Sequence, residues 1–229
     1  MNDIEDYFLK YMSKNARRNS MHYVSDYILK NDHVKNVIEF GTSRVDYEGN
    51  STILHALLCR EKNIKFTTVD IVHEYLENAK QFICNFDENL INYVNFVCDC
   101  QYNFMKNYIG DPFQCVYLDC DDLKKHNALK TLIECESNML DNEALIYVDD
   151  MIFTSSEDEV NKNQVYGVVD IINTNSKLTP VDKSEEYILN SQQNEWYNNN
   201  LINSIPDNYK VYSDGVRQFE YQILAKYKK

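Results

Sequence analysis

The sequence predicts an α/β protein built on a doubly wound, mainly parallel seven-stranded sheet. Five short apolar runs alternate with segments of helical periodicity, which is typical of a parallel sheet covered on both faces. Two further strand-like runs flank Asp214-Gly215, which favours an antiparallel hairpin at the carboxyl end of the chain. The 229 residues, 44% of them hydrophobic, suffice for the core of one large domain.

The elements follow in a regular order. Apolar spacing predicts two helices within residues 3–31, separated by the polar stretch NARRNS. The five predicted strands are KNVIEF, KFTTVDI, VNFVCDC, FQCVYLDCD and ALIYVDDM. The helices predicted between them are STILHALLC, EYLENAKQFICNF, YNFMKNYI and KKHNALKTLIECESNML.

We expect residues 1–229 to form a single domain, with N-terminal helices over 1–33 and a core over 34–152. A helical insertion is predicted over 154–205 and the closing hairpin over 206–229. The insertion either covers a small substrate with an aromatic wall or is peripheral, with its aromatic residues in the core. Those residues are Tyr166, Trp196 and Tyr197. The N-terminal helices cover the site or form a homodimer contact.

Composition restricts the partners and the compartment. The formal net charge of −13 and a pI near 4.8 argue against a nucleic-acid partner and against anionic membrane surfaces, since both need clustered Lys and Arg, so we expect neither. The seven cysteines form no CxxC pair, so we interpret them as reduced core residues of a cytoplasmic protein. The N-terminal segment lacks the apolar run of a signal peptide, and no stretch reaches membrane-spanning length.

Acidic or small polar residues follow every predicted strand. In a doubly wound sheet, ligands bind beyond the carboxyl ends of the strands, so we expect these residues to line one site. In chain order they are Glu39 and Gly41, Asp70, Asp99-Cys100-Gln101, Asp119, and Asp149-Asp150.

The first of these loops, EFGTSRVDYEGNST, contains Gly41 and Gly49 and leads into a helix N-terminus. Free N–H groups and the dipole at that terminus suit a carboxylate or a phosphate. Asp70 lies 29 residues after Gly41, at a spacing where an acid accepts both hydroxyls of a ribose. These features favour a nucleoside-binding loop, although a polar turn with a strand-end helix cap would have the same residues.

The motifs VIEFGT, GNSTILHA, TVDI, CDCQ, VYLDCDD and LIYVDDM together resemble the class I S-adenosylmethionine (SAM)-dependent methyltransferases, which have a Rossmann-like fold. More narrowly, they are similar to the metal-dependent small-molecule O-methyltransferases of the catechol and caffeoyl-CoA type. The resemblance spans residues 34–152, and it implies SAM as the cofactor.

The resemblance also implies roles for individual residues. Glu39 and Gly41 would line the methionine side of SAM, Ser51 would hold its carboxylate, and Asp70 would bind the ribose hydroxyls. Asp99, Cys100 and Gln101 would border the adenine. Thr42, Gly49, Ile71 and Asp119 complete the predicted cofactor-binding set.

The loop departs from the family pattern in its length. Seven residues, TSRVDYE, separate the two glycines, whereas the family usually has about three, so the places of Arg44, Asp46 and Glu48 stay open. A nicotinamide cofactor is not expected, because a dinucleotide needs a tight GxGxxG turn against its pyrophosphate.

Three of the acids predict a metal site. Asp119, Asp149 and Asp150 end adjacent strands, and converging carboxylates repel one another unless a cation compensates them. A hard ion such as Mg²⁺, or alternatively Ca²⁺ or Mn²⁺, prefers such oxygen ligands. In the resembling family the triad is usually Asp, Asp and Asn, and the metal binds and orients the substrate hydroxyl. The alternative is that these acids are helix caps and solvated loop residues.

The general base is not resolved by the sequence. The family often has a lysine three positions after the first metal ligand, where this chain has Asp122. Lys124, Lys125 and His126 follow, and we take Asp119, Lys124 and His126 as the catalytic candidates. The alternative interpretation makes the two lysines exposed residues of a first helical turn and His126 a surface or packed histidine.

The expected function is therefore metal-assisted O-methylation of a small-molecule hydroxyl on a sugar, phenol or secondary metabolite. One alternative is a metal-independent N- or protein methyltransferase, whose activity would survive replacement of Asp119 or Asp149. The other is a non-catalytic binding module that retains the fold.

Overall fold

A computed structural model describes residues 3–12, 18–44, 50–120, 125–151, 159–181 and 221–229. Within these ranges seven strands form one sheet. They are β1 (Asn36–Phe40), β2 (Lys65–Asp70), β3 (Val94–Cys98), β4 (Phe113–Leu118), β5 (Leu140–Met151), β6 (Leu178–Pro180) and β7 (Tyr221–Tyr227). Their spatial order is β3-β2-β1-β4-β5-β7-β6. The first five strands are parallel, and β7 runs antiparallel to both β5 and β6.

Two of the described helices precede β1, and the others lie between strands along the chain, as the sequence pattern predicts. They are α1 (Asp3–Tyr7), α2 (Arg18–Lys30), α3 (Asn50–Lys62), α4 (His73–Phe86), α5 (Gln101–Asn107), α6 (Lys125–Glu134), α7 (Glu136–Met139) and α8 (Glu159–Thr174). A π-helical turn, Phe8–Met12, continues α1, and a 3₁₀ helix, Glu88–Tyr93, precedes β3. No helix in the described part of the chain is long and apolar enough to cross a membrane.

Two hydrophobic clusters cover the two faces of the sheet. In β4 the alternate residues Cys115 and Tyr117 face the cluster formed with α1–α3, whereas Val116 and Leu118 face the cluster of α6 and α8. Every residue of β4 is buried, as expected for a central strand covered on both sides. The predicted doubly wound, mainly parallel seven-stranded sheet is thus confirmed.

Two elements differ from the sequence prediction. The helix predicted to continue through Leu140 ends at Glu134, and after α7 the chain enters β5 at Leu140, which pairs with Phe113. The pairing register then shifts, and Glu143 takes a left-handed φ of 65° within the irregular stretch. An apolar residue such as Leu140 is compatible with the last turn of a helix and with the first position of a strand. Helical spacing therefore could not distinguish the two.

The antiparallel edge also differs in detail. Besides β5, the strand that pairs with β7 in the described residues is β6, which lies inside the predicted helical insertion. The predicted hairpin strand near Asp214-Gly215 lies outside the described residues. The helix predicted over EVNKNQVYGVVDIINT is confirmed as α8, whose Val168, Val169 and Ile172 are buried in the core. The second predicted helix of the insertion, including Trp196 and Tyr197, lies outside the described residues, as does the side chain of Tyr166.

Candidate active site

The order of the strands reverses between β1 and β4, so the chain leaves these neighbouring strands in opposite directions. Such a switch point opens a crevice at the carboxyl edge of a doubly wound sheet. Gly41 lies at this point with a φ of +93°, a conformation that side chains disfavour. A Cβ atom on Gly41 would lie 2.3 Å from the carbonyl oxygen of Asp119. Glycine is therefore required here by the close approach of β4, whatever its contact with a ligand.

Hydrogen bonds bind the ends of β1, β2 and β3 to one another. The Gly41 amide donates to the Val69 carbonyl at 2.9 Å, and the Thr42 amide donates to Asp70 Oδ2 at 3.1 Å. The Asp99 amide donates to the Asp70 carbonyl at 3.1 Å. The predicted ribose and adenine residues are thus brought together at one edge of the sheet.

Asp70 is the centre of this edge. Its Oδ1 accepts the Val72 amide at 2.8 Å, while Oδ2 accepts Thr42, so the carboxylate is held by two backbone donors. The neighbouring Ile71 is an apolar side chain that remains 63% exposed. The hydroxyl oxygen of Thr42 is buried and has no hydrogen-bond partner among the described residues. An exposed apolar side chain and an unpartnered buried hydroxyl beside a fixed carboxylate fit a nucleoside ligand.

The end of β3 continues the same edge. Asp99 Oδ1 accepts the Cys100 amide at 2.7 Å, and α5 begins directly afterwards at Gln101. All three residues are partly exposed. They therefore remain accessible to a ligand that extends from Asp70 towards α5.

Glu39 has a different environment from the one predicted. It is fully buried on the α3 face of the sheet, and its carboxylate accepts hydroxyl hydrogen bonds from three residues. These are Ser51 at 2.9 Å, Thr52 at 2.8 Å and Thr68 at 3.0 Å. Ser51, predicted to hold the carboxylate of SAM, thus directs its own hydroxyl to Glu39. The contacts fasten the first turn of α3 to β1 and β2 beneath the loop.

The Glu39 cluster extends along the same face to β5. His55 Nδ1 lies 3.6 Å from Glu39 Oε1, and Nε2 hydrogen-bonds the Tyr147 hydroxyl. Burial raises the pKa of Tyr147 well above its ordinary value, so the hydroxyl stays protonated and can donate to Nε2. A neutral imidazole would then carry its proton on Nδ1, facing Glu39.

A second buried cluster lies at the ends of β4 and β5, and it contains Asp119, Asp149, Lys125 and Tyr117. The Tyr117 hydroxyl donates to Asp149 Oδ2, and the Tyr117 ring stacks on Tyr147 with 4.4 Å between centroids. Lys125 Nζ lies 3.3 Å from Asp119 Oδ1 and donates to the Asp149 carbonyl at 2.9 Å.

Lys125 corrects one interpretation of the sequence. It is not an exposed first-turn lysine, since its side chain is 0% exposed whereas that of Asp119 is 21% exposed. His126 also has a packed environment, because a Cβ atom on Gly167 of α8 would lie 3.0 Å from His126 Cβ. The His126 Nδ1 atom is buried without a hydrogen-bond partner in the described part of the chain. Lys124, Asp121, Asp122, Gly49 and the side chain of Asp150 lie outside the described residues.

The lysine bears directly on the predicted metal site. Two unit charges 4 Å apart repel by about 4 kcal/mol at an effective dielectric constant of 20, and a divalent ion doubles this to about 8 kcal/mol. A divalent ion on Asp119 would meet the Lys125 ammonium at about that separation, given the 3.3 Å contact. Among the described residues, a divalent ion on Asp119 would therefore have to compete with a cation that already lies against this carboxylate. Across the described ranges, no three His, Cys, Asp or Glu side chains converge as a metal site.

The sequence analysis missed several of these residues. His55, Thr68, Tyr117 and Tyr147 belong to the two buried clusters, and although each lies inside a quoted motif, the resemblance assigns it no role. A signal was nevertheless present, because Tyr117 and Tyr147 each stand two positions before a strand-end acid, on the same face of their strands.

Solved structures share this fold. Cofactor-bound Rv0187 from MTB matches with a TM-score of 0.62 at 15% identity, over 92% of this chain and 79% of that protein. An O-methyltransferase from Bacillus cereus, in complex with SAH, gives 0.60 at 12% identity, over 98% and 90%. The N-methyltransferase NodS from Bradyrhizobium japonicum gives 0.52 at 11% identity, over 93% and 97%.

No protein-family model matches the sequence, and no curated protein matches it. Identities of 11–15% indicate a shared fold and nothing finer. The chain therefore has the Rossmann-like fold of SAM-dependent methyltransferases, as the sequence resemblance implies.

Proposed function

We propose that this protein transfers a methyl group from SAM to a hydroxyl group of a small molecule. The observation that carries the proposal is the edge formed by Asp70, Ile71 and Asp99 beside the switch point. There a carboxylate fixed by backbone donors lies next to an apolar side chain that is 63% exposed. Exposure of a large apolar residue beside a fixed acid favours a ligand with both a hydroxylated and an apolar part.

The remaining hydrogen-bonding capacity of Asp70 suits a ribose. Each carboxylate oxygen accepts one backbone hydrogen bond within the chain, at 2.8 and 3.1 Å, and a carboxylate oxygen has two acceptor sites. One further acceptor site therefore remains on each oxygen for the two ribose hydroxyls. Ile71 would pack against the adenine, and Asp99 with Cys100 would border its edge.

When bound, SAM would supply a methyl group on a sulfonium for in-line displacement. The chain's part is to align the acceptor oxygen with that methyl group, because alignment accounts for much of the rate of such transfers. Thr42 follows Gly41 and the Asp119 backbone lies against it, so the buried Thr42 hydroxyl and the partly exposed Asp119 carboxylate would line the reacting end of the crevice. Because Lys125 lies against Asp119, the proposed reaction contains no step on the predicted metal.

Several observations support a small hydroxyl-bearing acceptor. The net charge of −13 disfavours nucleic acid, and the Bacillus cereus protein of the same fold is an O-methyltransferase. Phenols, sugars and other hydroxylated metabolites are the acceptors to assay first. Because NodS is an N-methyltransferase of the same fold, the assay panel should also include amines.

The proposal also covers the cellular compartment and the oligomeric state. All seven cysteines are free thiols, which supports a reducing compartment such as the cytoplasm. A homodimer through the N-terminal helices is retained as a prediction, and sedimentation of the purified chain would test it.

Calorimetric titration with S-adenosylhomocysteine, in EDTA and then in Mg²⁺, tests the cofactor proposal. We expect micromolar binding to the wild type, about 10- to 100-fold weaker in Asp70→Asn, since a hydrogen bond to a charged group contributes about 1.5–3 kcal/mol. Ile71→Ser should weaken binding by a smaller factor. Asp32→Asn is the matched control, because Asp32 is an exposed acid before β1, at the opposite edge of the sheet.

Transfer of a labelled methyl group from SAM to the acceptor panel tests the reaction. Binding without transfer to any acceptor would support the non-catalytic module. Absence of binding in both conditions would overturn the cofactor proposal itself. Equal binding by the wild type and Asp70→Asn would mean that Asp70 does not contact the ligand.

A further inference from the structure

We propose that Lys125 is the resident cation of the acid cluster, so that this site is assembled and functions without a divalent metal ion. The proposal rests on the proposed function only where it concerns methyl transfer. Its first part concerns the folded protein alone, namely that Lys125 compensates the Asp119 carboxylate after β4 and also donates to the Asp149 carbonyl in β5.

The geometry of Lys125 supports the assignment. The side chain is completely buried, and its ammonium lies 3.3 Å from Asp119 Oδ1 and 2.9 Å from the Asp149 carbonyl oxygen. A buried ammonium needs oxygen acceptors, and these two come from the strands whose acids were predicted to hold the metal. Lysine therefore bridges the same two strand ends that a metal would bridge.

The position of Lys125 in the chain explains how it reaches this point. It is the first residue of α6, and α6 packs on the sheet through Ala128, Leu129 and Leu132. Residues three and four positions apart share one face of a helix, so 125, 128, 129 and 132 face the sheet together. The helix thus directs the lysine inward for the same reason that it buries its apolar residues.

The second acid has additional compensation. The Tyr117 hydroxyl donates to Asp149 Oδ2 in the buried cluster. The Tyr117 hydroxyl and the Lys125 ammonium thus donate hydrogen bonds at both strand ends. A metal ion would otherwise be bound at the same two strand ends. For an acceptor hydroxyl in the crevice, an ordered ammonium beside Asp119 would provide positive charge that is already in place.

Metal titration of the free protein tests the proposal without cofactor or acceptor. We expect the melting temperature of the wild type to be the same in EDTA and in millimolar Mg²⁺, Mn²⁺ or Ca²⁺. Lys125→Ala removes the ammonium and leaves space between the acids, so it should gain a divalent-ion site. At ion concentrations tenfold above the dissociation constant, its melting temperature should rise by about 3–5 °C.

Three further variants complete the design. Lys130→Ala removes an exposed lysine of the same helix and should respond to metal as the wild type does. Lys125→Arg keeps the charge and should stay insensitive to metal. Lys125→Ala with Asp149→Asn should lose most of the gained response, which would locate the ion between the strand ends.

The metal titration has outcomes that would overturn the proposal. A metal-dependent rise in the wild type that disappears in Asp149→Asn would overturn the proposal, even if no lysine variant folds. An equal rise in the wild type and Asp149→Asn would show ion binding by other acids and would also count against it. Once an acceptor is known, transfer by the wild type should be unchanged in EDTA. Failure of cofactor binding would overturn the proposed function but leave the metal titration interpretable.

Discussion

Two buried acids on the same face of the sheet are stabilised in different ways. Glu39, at the end of β1, accepts hydrogen bonds from three neutral hydroxyl groups and faces an imidazole. Asp149, at the end of β5, receives a tyrosine hydroxyl, and the Lys125 ammonium lies between its carbonyl and Asp119. Glu39 is sealed from solvent, whereas the acid cluster opens through Asp119 towards the crevice.

The difference separates a structural acid from a candidate functional one. Both follow an apolar strand, and both were predicted to contact a ligand. Donors from α3 and β2 satisfy Glu39, so it ties the helix to the sheet and has little capacity left for a cofactor. A fixed ammonium at an accessible carboxylate is instead the kind of charge arrangement that active sites use.

Gly41→Ala should have the largest effect, because both regions meet at this residue. The substitution places a side chain at a positive φ, which costs about 1–3 kcal/mol, and forces β4 away, which costs a similar amount. We expect urea unfolding to show a loss of about 3–5 kcal/mol. The comparison is Gly110→Ala, at an exposed glycine without a positive φ, where the added Cβ would meet the Tyr108 side chain rather than backbone. Similar losses in the two variants would contradict the close approach at Asp119.

Glu39→Gln tests the structural role of the first region. An amide has one acceptor oxygen in place of two, so at least one of the three hydroxyls must lose its acceptor and turn to accept from the new NH2 group. Unfolding in urea should show a loss of about 2–3 kcal/mol, with wild-type affinity for S-adenosylhomocysteine. Reduced affinity in a stably folded variant would instead support the predicted contact between Glu39 and the cofactor.

Tyr147→Phe and Tyr117→Phe compare the two regions by the same chemical change. Each removes one hydroxyl, from His55 in the first region and from Asp149 in the second. We expect each variant to lose about 1–2 kcal/mol of stability, since a buried acceptor loses its donor. Only Tyr117→Phe should change the rate of methyl transfer, because its partner belongs to the cluster at the crevice. Equal rates in the two variants would remove that distinction.

Lys177→Met provides the exposed counterpart of the buried lysine and should have the smallest effect. Lys177 donates to Glu136 Oε1, and this hydrogen bond lowers the pKa of Glu136 below its ordinary value of 4.5. The ion pair is partly exposed, so its loss should cost less than about 1 kcal/mol. The contribution should be complete above pH 4.5 and should fade as the pH falls through the lower folded-state pKa. Unfolding in urea from pH 7 to pH 3 would measure it; a difference that grows towards low pH would contradict the assignment.

The sequence predicted the parallel strands well because each is a short run rich in apolar and β-branched residues that ends at a polar residue. It could not reveal β6, since three residues are too few to display a period of two. Asp70 was predictable because the end of a strand fixes its place at the edge of the sheet. Lys125 was not, because the direction of a first-turn side chain depends on how the helix packs. Exposed lysines at such positions are far more common than buried ones.

The close approach of Gly41 to β4 also affects which residues evolutionary relatives of this chain would retain. Folding alone opposes any side chain at position 41, so a descendant that had lost its chemistry would still retain the glycine. Ile71 is under the opposite constraint, because an apolar side chain that is 63% exposed has no evident benefit for folding. In divergent relatives, a glycine at position 41 would indicate that the sheet persists. A retained apolar residue at position 71 would indicate that natural selection still acts on a ligand.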